Sequence, residues 1–151
     1  MPELCNSQLV ESLAAALETM AFVSLAPVDE PPAAPVDAVL IRVDFRGARK
    51  GRVELVTSRD LGRLLLDNTV GCDPSDTLVM PNPNDPLVEL VNITCGMLLN
   101  RDQASGSMFE MSVPKVTPFD AKMRWESFIA QGNVDVINAE GSVLAIRMTQ
   151  E

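Results

Sequence analysis

Apolar residues recur every three or four positions in three segments of the chain, and this spacing predicts three amphipathic helices. The predicted helices cover residues 7–22, 59–70 and 86 to about 100. Residues that often cap helices precede them: Asn6 or Ser7, Ser58, and Asn84 or Asp85. Pro86 would then stand at the first position of the third helix, where its missing N–H costs nothing.

Alternating and β-branched runs predict strands between and after these helices. A β-hairpin is predicted from residues 36–45 and 53–57, which flank a basic turn at 46–51. Prolines make residues 27–35 a surface loop and residues 72–86 a connection. Further strands are predicted at 108–113, 122–130, 134–138 and 142–149, with the terminal hairpin turning at 138–141.

This order of elements predicts an α+β fold, in which helices cover a mainly antiparallel β-sheet, in a single domain spanning residues 1–151. A degenerate internal duplication is one interpretation of two of the helices, because Leu9-Val10-Glu11 returns as Leu87-Val88-Glu89. Chance convergence of two amphipathic helices is the other interpretation, and three identities do not separate the two.

Charge and residue types exclude several classes of function. The chain has 21 Asp and Glu against 12 Lys and Arg, a net charge of -9, which predicts no binding to nucleic acid or to anionic membranes. It has no histidine, so Ser-His and Cys-His nucleophile pairs are excluded. Its three cysteines lack metal-ligand spacing, and we expect no metal on this chain. The N-terminal sequence is not that of a signal peptide and no apolar stretch reaches the length of a membrane span, so we expect a cytoplasmic protein.

The predicted third helix is apolar almost all round, yet Glu89 and Asn92 interrupt it on one face. Gly96 continues the same stripe, and Ile93 lies beside it. A glycine inside a helix costs about 1 kcal/mol relative to alanine, and close approach of another body would explain its presence. A carboxylate, a carboxamide, a bare backbone patch and an aliphatic side chain together favour docking onto another protein.

The charges along this part of the chain agree with a docking role. No Lys or Arg occurs between Arg63 and Arg101. The acidic residues in that stretch are Asp67, Asp73, Asp76, Asp85 and Glu89. The sequence therefore predicts a partner with a basic surface. The alternative, in which the polar residues of the helix are simply the solvated side of an amphipathic helix, stays open on composition alone.

A motif now points to a family. Asp85-x-x-x-Glu89-x-x-Asn92, followed by Pro114 in the strand-like segment SVPKV, resembles the signature of the CheC/CheX/FliY chemotaxis phosphatases. The segment GRVELVTS and the helix after it resemble the hairpin-plus-helix unit of that family, and the likeness spans most of the chain. The first helix has Glu11 but no asparagine three residues later, which resembles the single-motif CheX type, and that type typically forms a homodimer.

The resemblance implies hydrolysis of the aspartyl phosphate on a phosphorylated CheY-like receiver domain. The receiver would supply its own Mg²⁺ and lysine, so this chain would need no cofactor of its own. Glu89 and Asn92 would be the catalytic residues: Asn92 would orient the attacking water, and Glu89 would pair with the receiver lysine. Asp85, Ile93 and Gly96 would contact the partner.

The resemblance also allows a function without catalysis. A binding module of the same fold would dock on a receiver domain, or in a signalling or flagellar assembly, and would leave the phosphate intact. The asparagine favours the enzyme, because docking alone has no use for an amide that orients water.

Overall fold

The computed structural model describes residues 5–28, 33–69, 82–103 and 108–150. Within these ranges the chain forms four helices and seven strands. Their bounds are α1 Asn6–Ala21, β1 Leu25–Ala26, β2 Ala38–Gly47, β3 Gly51–Ser58, α2 Arg59–Thr69, α3 Asn84–Gln103, β4 Phe109–Met111, β5 Lys115–Pro118, α4 Ala121–Ile129, β6 Val134–Ala139 and β7 Ser142–Gln150. The predicted loop at 27–35 and the predicted connection at 72–86 lie partly outside the described residues.

The strands form one sheet in the order β1-β6-β7-β3-β2-β4, and β5 also pairs with β2. Every ladder that joins these strands is antiparallel. The central strand β3 lies between β2 and β7, so that Leu55 faces Ile41 on one side and Ile146 on the other. The predicted α+β fold with a mainly antiparallel sheet is therefore confirmed.

The sheet order has an approximate two-fold arrangement. The runs α1-β1-β2-β3 and α3-β5-β6-β7 meet at the β3 and β7 pair, and the outer strand of each run pairs with the middle strand of the other. Helices α1 and α3 also share a burial pattern 78 positions apart. The buried residues that match are Leu9 with Leu87, Ser12 with Leu90, Leu13 with Val91, Ala16 with Thr94, and Leu17 with Cys95. An internal duplication would produce this arrangement, with α2 and α4 outside the repeat.

The main core lies between one face of the sheet and helices α1, α2 and α3. Alternate residues of β2 point into it, and they pack against leucines from all three helices. The strand residues are Val39, Ile41, Val43 and Phe45, and the helix residues include Leu13, Leu61 and Leu90. Because α1 and α3 pack on each other as well as on the sheet, α3 is held rigidly along one side.

The predicted strand at 122–130 is wrong, because these residues form α4. Asp120 caps this helix, and its side chain accepts a hydrogen bond from the Met123 N–H at 3.4 Å. Trp125 and Phe128 are three residues apart and both buried, which a helix allows, whereas a strand would place them on opposite faces. They pack on the second face of the sheet, where they form a smaller cluster with Val56 and other residues.

Several predicted boundaries also shift. The cap of α1 is Cys5 rather than Asn6 or Ser7, and the Gln8 side chain accepts a hydrogen bond from the Cys5 N–H at 3.0 Å. Strand β5 was not among the predicted strands, and β4 is shorter than residues 108–113. The terminal hairpin and its turn are confirmed, with the Gly141 N–H donating to Asn138 Oδ1 at 2.7 Å. Among the described residues, no helix is both long enough and apolar enough to span a bilayer.

Candidate functional site

Helix α3 begins two residues earlier than the sequence indicates. The Asn84 N–H donates to Asn82 Oδ1 at 2.9 Å, and the Asp85 N–H donates to the Asn82 carbonyl at 3.1 Å. Neither Asn84 nor Asp85 is therefore the cap, since both lie inside the helix. Pro86 occupies the third helical position, where the N–H still has no intrahelical partner, so the proline fits the first turn. The prediction of a proline-containing helix start is confirmed, but its register is wrong.

One side of α3 is anchored in the main core. Its fully buried side chains include Leu87, Leu90 and Leu98, which pack against the sheet and α1. This burial fixes the rotation of the helix about its own axis, because residues three and four apart lie on one face. The opposite face must then point away from the sheet.

The predicted site residues lie together on that outward face. Asp85, Glu89 and Asn92 are exposed, whereas Gly96 and Ile93 are half-buried. The positions 85, 89, 92 and 96 follow helical spacing, so the four residues form one stripe along α3. Within the described part of the chain, no hydrogen bond or ion pair engages the side chain of Glu89 or Asn92. A carboxylate and a carboxamide one turn apart are therefore both accessible to another molecule.

Gly96 has an open environment. A Cβ built on it would have no heavy atom within 4 Å, apart from the backbone of its own helix and its chain neighbours. Packing within the described chain therefore gives no reason for a glycine here. The bare patch instead lets another surface come close to the backbone of α3.

A second glycine, Gly62 in α2, positions the start of α3. A Cβ at Gly62 would lie 2.0 Å from the carbonyl oxygen of Pro83, closer than real atoms approach. Glycine at this point lets α2 pack directly on the turn that precedes α3. Gly62 was not among the predicted site residues, although a glycine inside an amphipathic helix is a signal that could have identified it.

Cys95 and Pro114, two other residues of interest in the sequence, add no reactive group to the stripe on α3. Cys95 is buried on the core side of α3, and burial raises the pKa of its thiol to about 12, so it stays protonated and unreactive near neutral pH. Pro114 lies in the link between β4 and β5, both of which pair with β2. In the described ranges, no group of three or more Cys, Asp or Glu residues could hold a metal ion.

The equivalent face of α1 differs at three of the four stripe positions, because Ser7, Ala14 and Glu18 match Asp85, Asn92 and Gly96. Glu11 is exposed like Glu89, but Ala14 occupies the position that matches Asn92. Only α3 therefore presents both the carboxylate and the carboxamide.

Comparison with solved structures identifies the fold. No protein-family model and no curated protein sequence matches the chain. A CheC-like superfamily protein from Shewanella sp. PV-4 has a TM-score of 0.68 at 18% identity, covering 100% of this chain and 99% of that chain. The chemotaxis protein CheX from Desulfovibrio desulfuricans has a TM-score of 0.66 at 14% identity, covering 96% and 97%.

A third similar structure is the CheX-CheY-BeF3-Mg²⁺ complex from Borrelia burgdorferi, with a TM-score of 0.60 at 14% identity and coverage of 96% of both chains. These likenesses extend over almost the whole of each chain and include both helices of the two-fold arrangement. The resemblance that the α3 motif indicated is thus supported by the whole backbone, and the chain has the fold of the CheX and CheC-like chemotaxis proteins.

Proposed function

We propose that this chain is a phosphatase that hydrolyses the aspartyl phosphate of a CheY-like receiver domain. The observation that carries the proposal is the exposed pair of Glu89 and Asn92 on the outward face of a rigidly held helix. A CheX of the same fold occurs in a complex with CheY, BeF3 and Mg²⁺, which supports a receiver domain as the partner.

Asn92 is the residue that positions the nucleophile. An aspartyl phosphate is an activated acyl phosphate, so hydrolysis needs chiefly a water molecule held in line with the phosphorus. The Asn92 carboxamide has one acceptor oxygen and two N–H donors, enough to fix the orientation of a water, but it is too weak a base to remove its proton. The water oxygen bonds to phosphorus as the bond from phosphorus to the receiver aspartate breaks, and the products are inorganic phosphate and a free carboxylate.

Glu89 lies one turn before Asn92 and anchors the helix on the partner. Its carboxylate pairs with the active-site lysine of the receiver, so that Asn92 enters the site at the right depth. An interfacial pair of this kind supplies orientation as well as affinity. Loss of Glu89 should therefore damage both docking and turnover.

The rest of the stripe shapes the contact. Gly96 allows close approach of the receiver backbone, Ile93 supplies an apolar contact beside it, and Asp85 adds negative charge toward a basic partner surface. The receiver contributes Mg²⁺, which neutralises charge on the phosphoryl group. The chain acts in the cytoplasm as a homodimer in this proposal, and light scattering of the purified protein would measure the oligomeric state.

The test is the rate of phosphate loss from receiver domains phosphorylated with acetyl phosphate in the presence of magnesium. Wild-type protein should accelerate the loss on at least one receiver of the source organism. Asn92→Ala should lower the acceleration by about 100-fold while receiver binding stays close to wild type. Glu89→Ala should weaken both.

Glu11→Ala is the matched control for these variants. Glu11 is the exposed glutamate of α1 that matches Glu89, and α1 has Ala14 at the position that matches Asn92. We expect its activity to equal that of wild type. Equal activity of wild type and Asn92→Ala would contradict the mechanism.

A non-catalytic docking module is the second candidate, and the exposed acidic stripe would serve it equally well. The same assay separates the two functions. Binding to a receiver without any acceleration of phosphate loss would assign the chain to docking alone.

A further inference from the structure

The second face of the sheet, opposite α1 and α3, is only partly covered. Helix α4 has nine residues and packs over one end of that face, where the strands present Leu40, Val56 and Ala145. Two residues further along β2 and β7, the same face becomes charged, with Arg42 and Arg147. The uncovered end is therefore a band of polar side chains.

The strand register places these charges side by side. Glu54 in β3 lies opposite Arg42 in β2 and opposite Arg147 in β7. The Arg147 guanidinium contacts Glu54 at 2.7 Å and also lies 4.8 Å from the centroid of the Phe128 ring. One row along, Arg52 donates to Asp44 at 2.8 Å. Each of these guanidinium groups is thus held in a defined orientation before any ligand arrives.

Positive charge exceeds negative charge in this band. Lys115 in β5 lies directly opposite Arg42, which has Glu54 as its neighbour on the other side. Lys50, at the end of the β2-β3 turn, is exposed, and among the described residues no ion pair engages it. This local excess of positive charge contrasts with the net charge of the whole chain, which is -9.

The band contains a groove with a volume of about 630 Å³. Its charged lining consists of Asp44, Arg46, Lys50, Arg52, Glu54 and Arg147. Gln131 and Asn133, which follow α4, bound the groove and add amide groups. This volume lies within the range of about 300 to 1,000 Å³ typical of sites for small molecules.

We propose that this groove binds a small polyanion, a molecule carrying two or more adjacent phosphate or carboxylate groups. Four cationic side chains line the groove against two carboxylates, and each of its three arginines has an acidic partner: Arg52 with Asp44, Arg147 with Glu54, and Arg46 with Glu110 beside the groove. Lys50 therefore supplies the positive charge that no described carboxylate balances. Oriented guanidinium groups bind such anions well, because their geometry matches phosphate and carboxylate oxygens. The volume of the groove suits a compact ligand. The site lies on the face of the sheet opposite α3 and is independent of the proposed phosphatase.

The experiment is isothermal titration of the full chain with inorganic pyrophosphate and, separately, with citrate. Lys50→Ala should raise the dissociation constant about tenfold, because it removes the exposed ammonium group at the groove. Lys122→Ala is the matched control, since Lys122 is an exposed lysine of α4 that does not line the groove, and it should leave the constant unchanged. Tighter binding of pyrophosphate would assign the groove to phosphate ligands, and tighter binding of citrate to carboxylates.

Three results would overturn the proposal. The first is no binding of either probe at millimolar concentration. The second is an equal rise of the dissociation constant in Lys50→Ala and Lys122→Ala, which would show that the probes are attracted to any exposed lysine. The third is binding of a poly-glutamate peptide under conditions in which neither small probe binds. Because Lys50 is exposed, circular dichroism should show its variant folded like wild type.

Discussion

The carboxamide of Asn92 distinguishes the outward face of α3 from the matching face of α1. Burial repeats between α1 and α3 at an offset of 78 residues, and it leaves Glu11 and Glu89 equally exposed. Ala14 in α1 cannot orient a water molecule, whereas Asn92 in α3 can. The two outward faces share the glutamate alone, since Ser7 and Glu18 also replace Asp85 and Gly96 in α1. This is why activity is expected from α3 alone.

At the residue scale, two buried threonines give opposite predictions for stability. Thr94 in α3 is fully buried, and its hydroxyl has no hydrogen-bond partner among the residues that the structure describes. Thr57 in β3 is equally buried, but its hydroxyl donates to the Val143 carbonyl at 3.1 Å. Thr94→Val should raise the free energy of unfolding by about 1 kcal/mol, and Thr57→Val should lower it by about 1 kcal/mol.

Urea denaturation of the two variants and wild type measures this difference. Valine keeps the branched shape of threonine and replaces its hydroxyl with a methyl group, so each change removes the hydrogen-bonding group alone. A loss of stability in Thr94→Val would show that its hydroxyl has a partner in solution.

At the element scale, the sequence predicted the elements whose signals are local. Helical spacing located α1, α2 and α3, and glycine-flanked turns located both hairpins. The segment that became α4 was assigned to a strand because Trp125, Phe128 and Ile129 are frequent in strands. The Asp120 cap was the overlooked signal. Pro114 precedes β5 and Pro118 is its last residue, and because proline is uncommon inside strands this four-residue strand was not predicted.

The candidate site could be predicted from sequence for the same reason. Asp85, Glu89, Asn92 and Gly96 depend only on helical spacing within one element. The polar band on the sheet could not, because Glu54 meets Arg147 across a ladder from a distant part of the chain. Only the register of β3 and β7 brings the two side chains together.

Gly96 in α3 gives a prediction about both the stability of the helix and receiver binding. Nothing crowds a Cβ at this position, so Gly96→Ala should raise the free energy of unfolding by about 0.5–1 kcal/mol through its better helix propensity. The same methyl group should keep the receiver from the backbone of α3, so that receiver binding and phosphatase activity both fall. Stability is measured by denaturation and binding by titration with the receiver.

Gly62→Ala is the control variant for the stability of Gly96→Ala. Its methyl group would clash with the Pro83 carbonyl, so this variant should lose stability where Gly96→Ala gains it. If Gly96→Ala bound the receiver as tightly as wild type, the partner would not approach α3 at that point.

At the scale of the whole molecule, charge is divided between the two faces of the sheet. The outward face of α3 carries Asp85 and Glu89, and no Lys or Arg occurs between Arg63 and Arg101. The opposite face presents the groove with Lys50 and its arginine neighbours. A chain of net charge -9 thus carries its acidic side chains on α3 and a group of cationic ones on the opposite face of the sheet.

This division predicts how salt acts on receiver binding. Attraction between the α3 face and a basic receiver surface speeds association, and salt screens it, so the association rate should fall about tenfold between roughly 20 and 200 mM salt. Stopped-flow measurement of receiver binding gives the association rate.

Glu89→Gln should flatten this salt dependence because it removes one charge from the docking face of α3. Lys50→Ala removes a charge from the opposite face of the sheet and should change this dependence less than Glu89→Gln does. A flatter dependence in Lys50→Ala and not in Glu89→Gln would place the receiver on the sheet face instead of on α3.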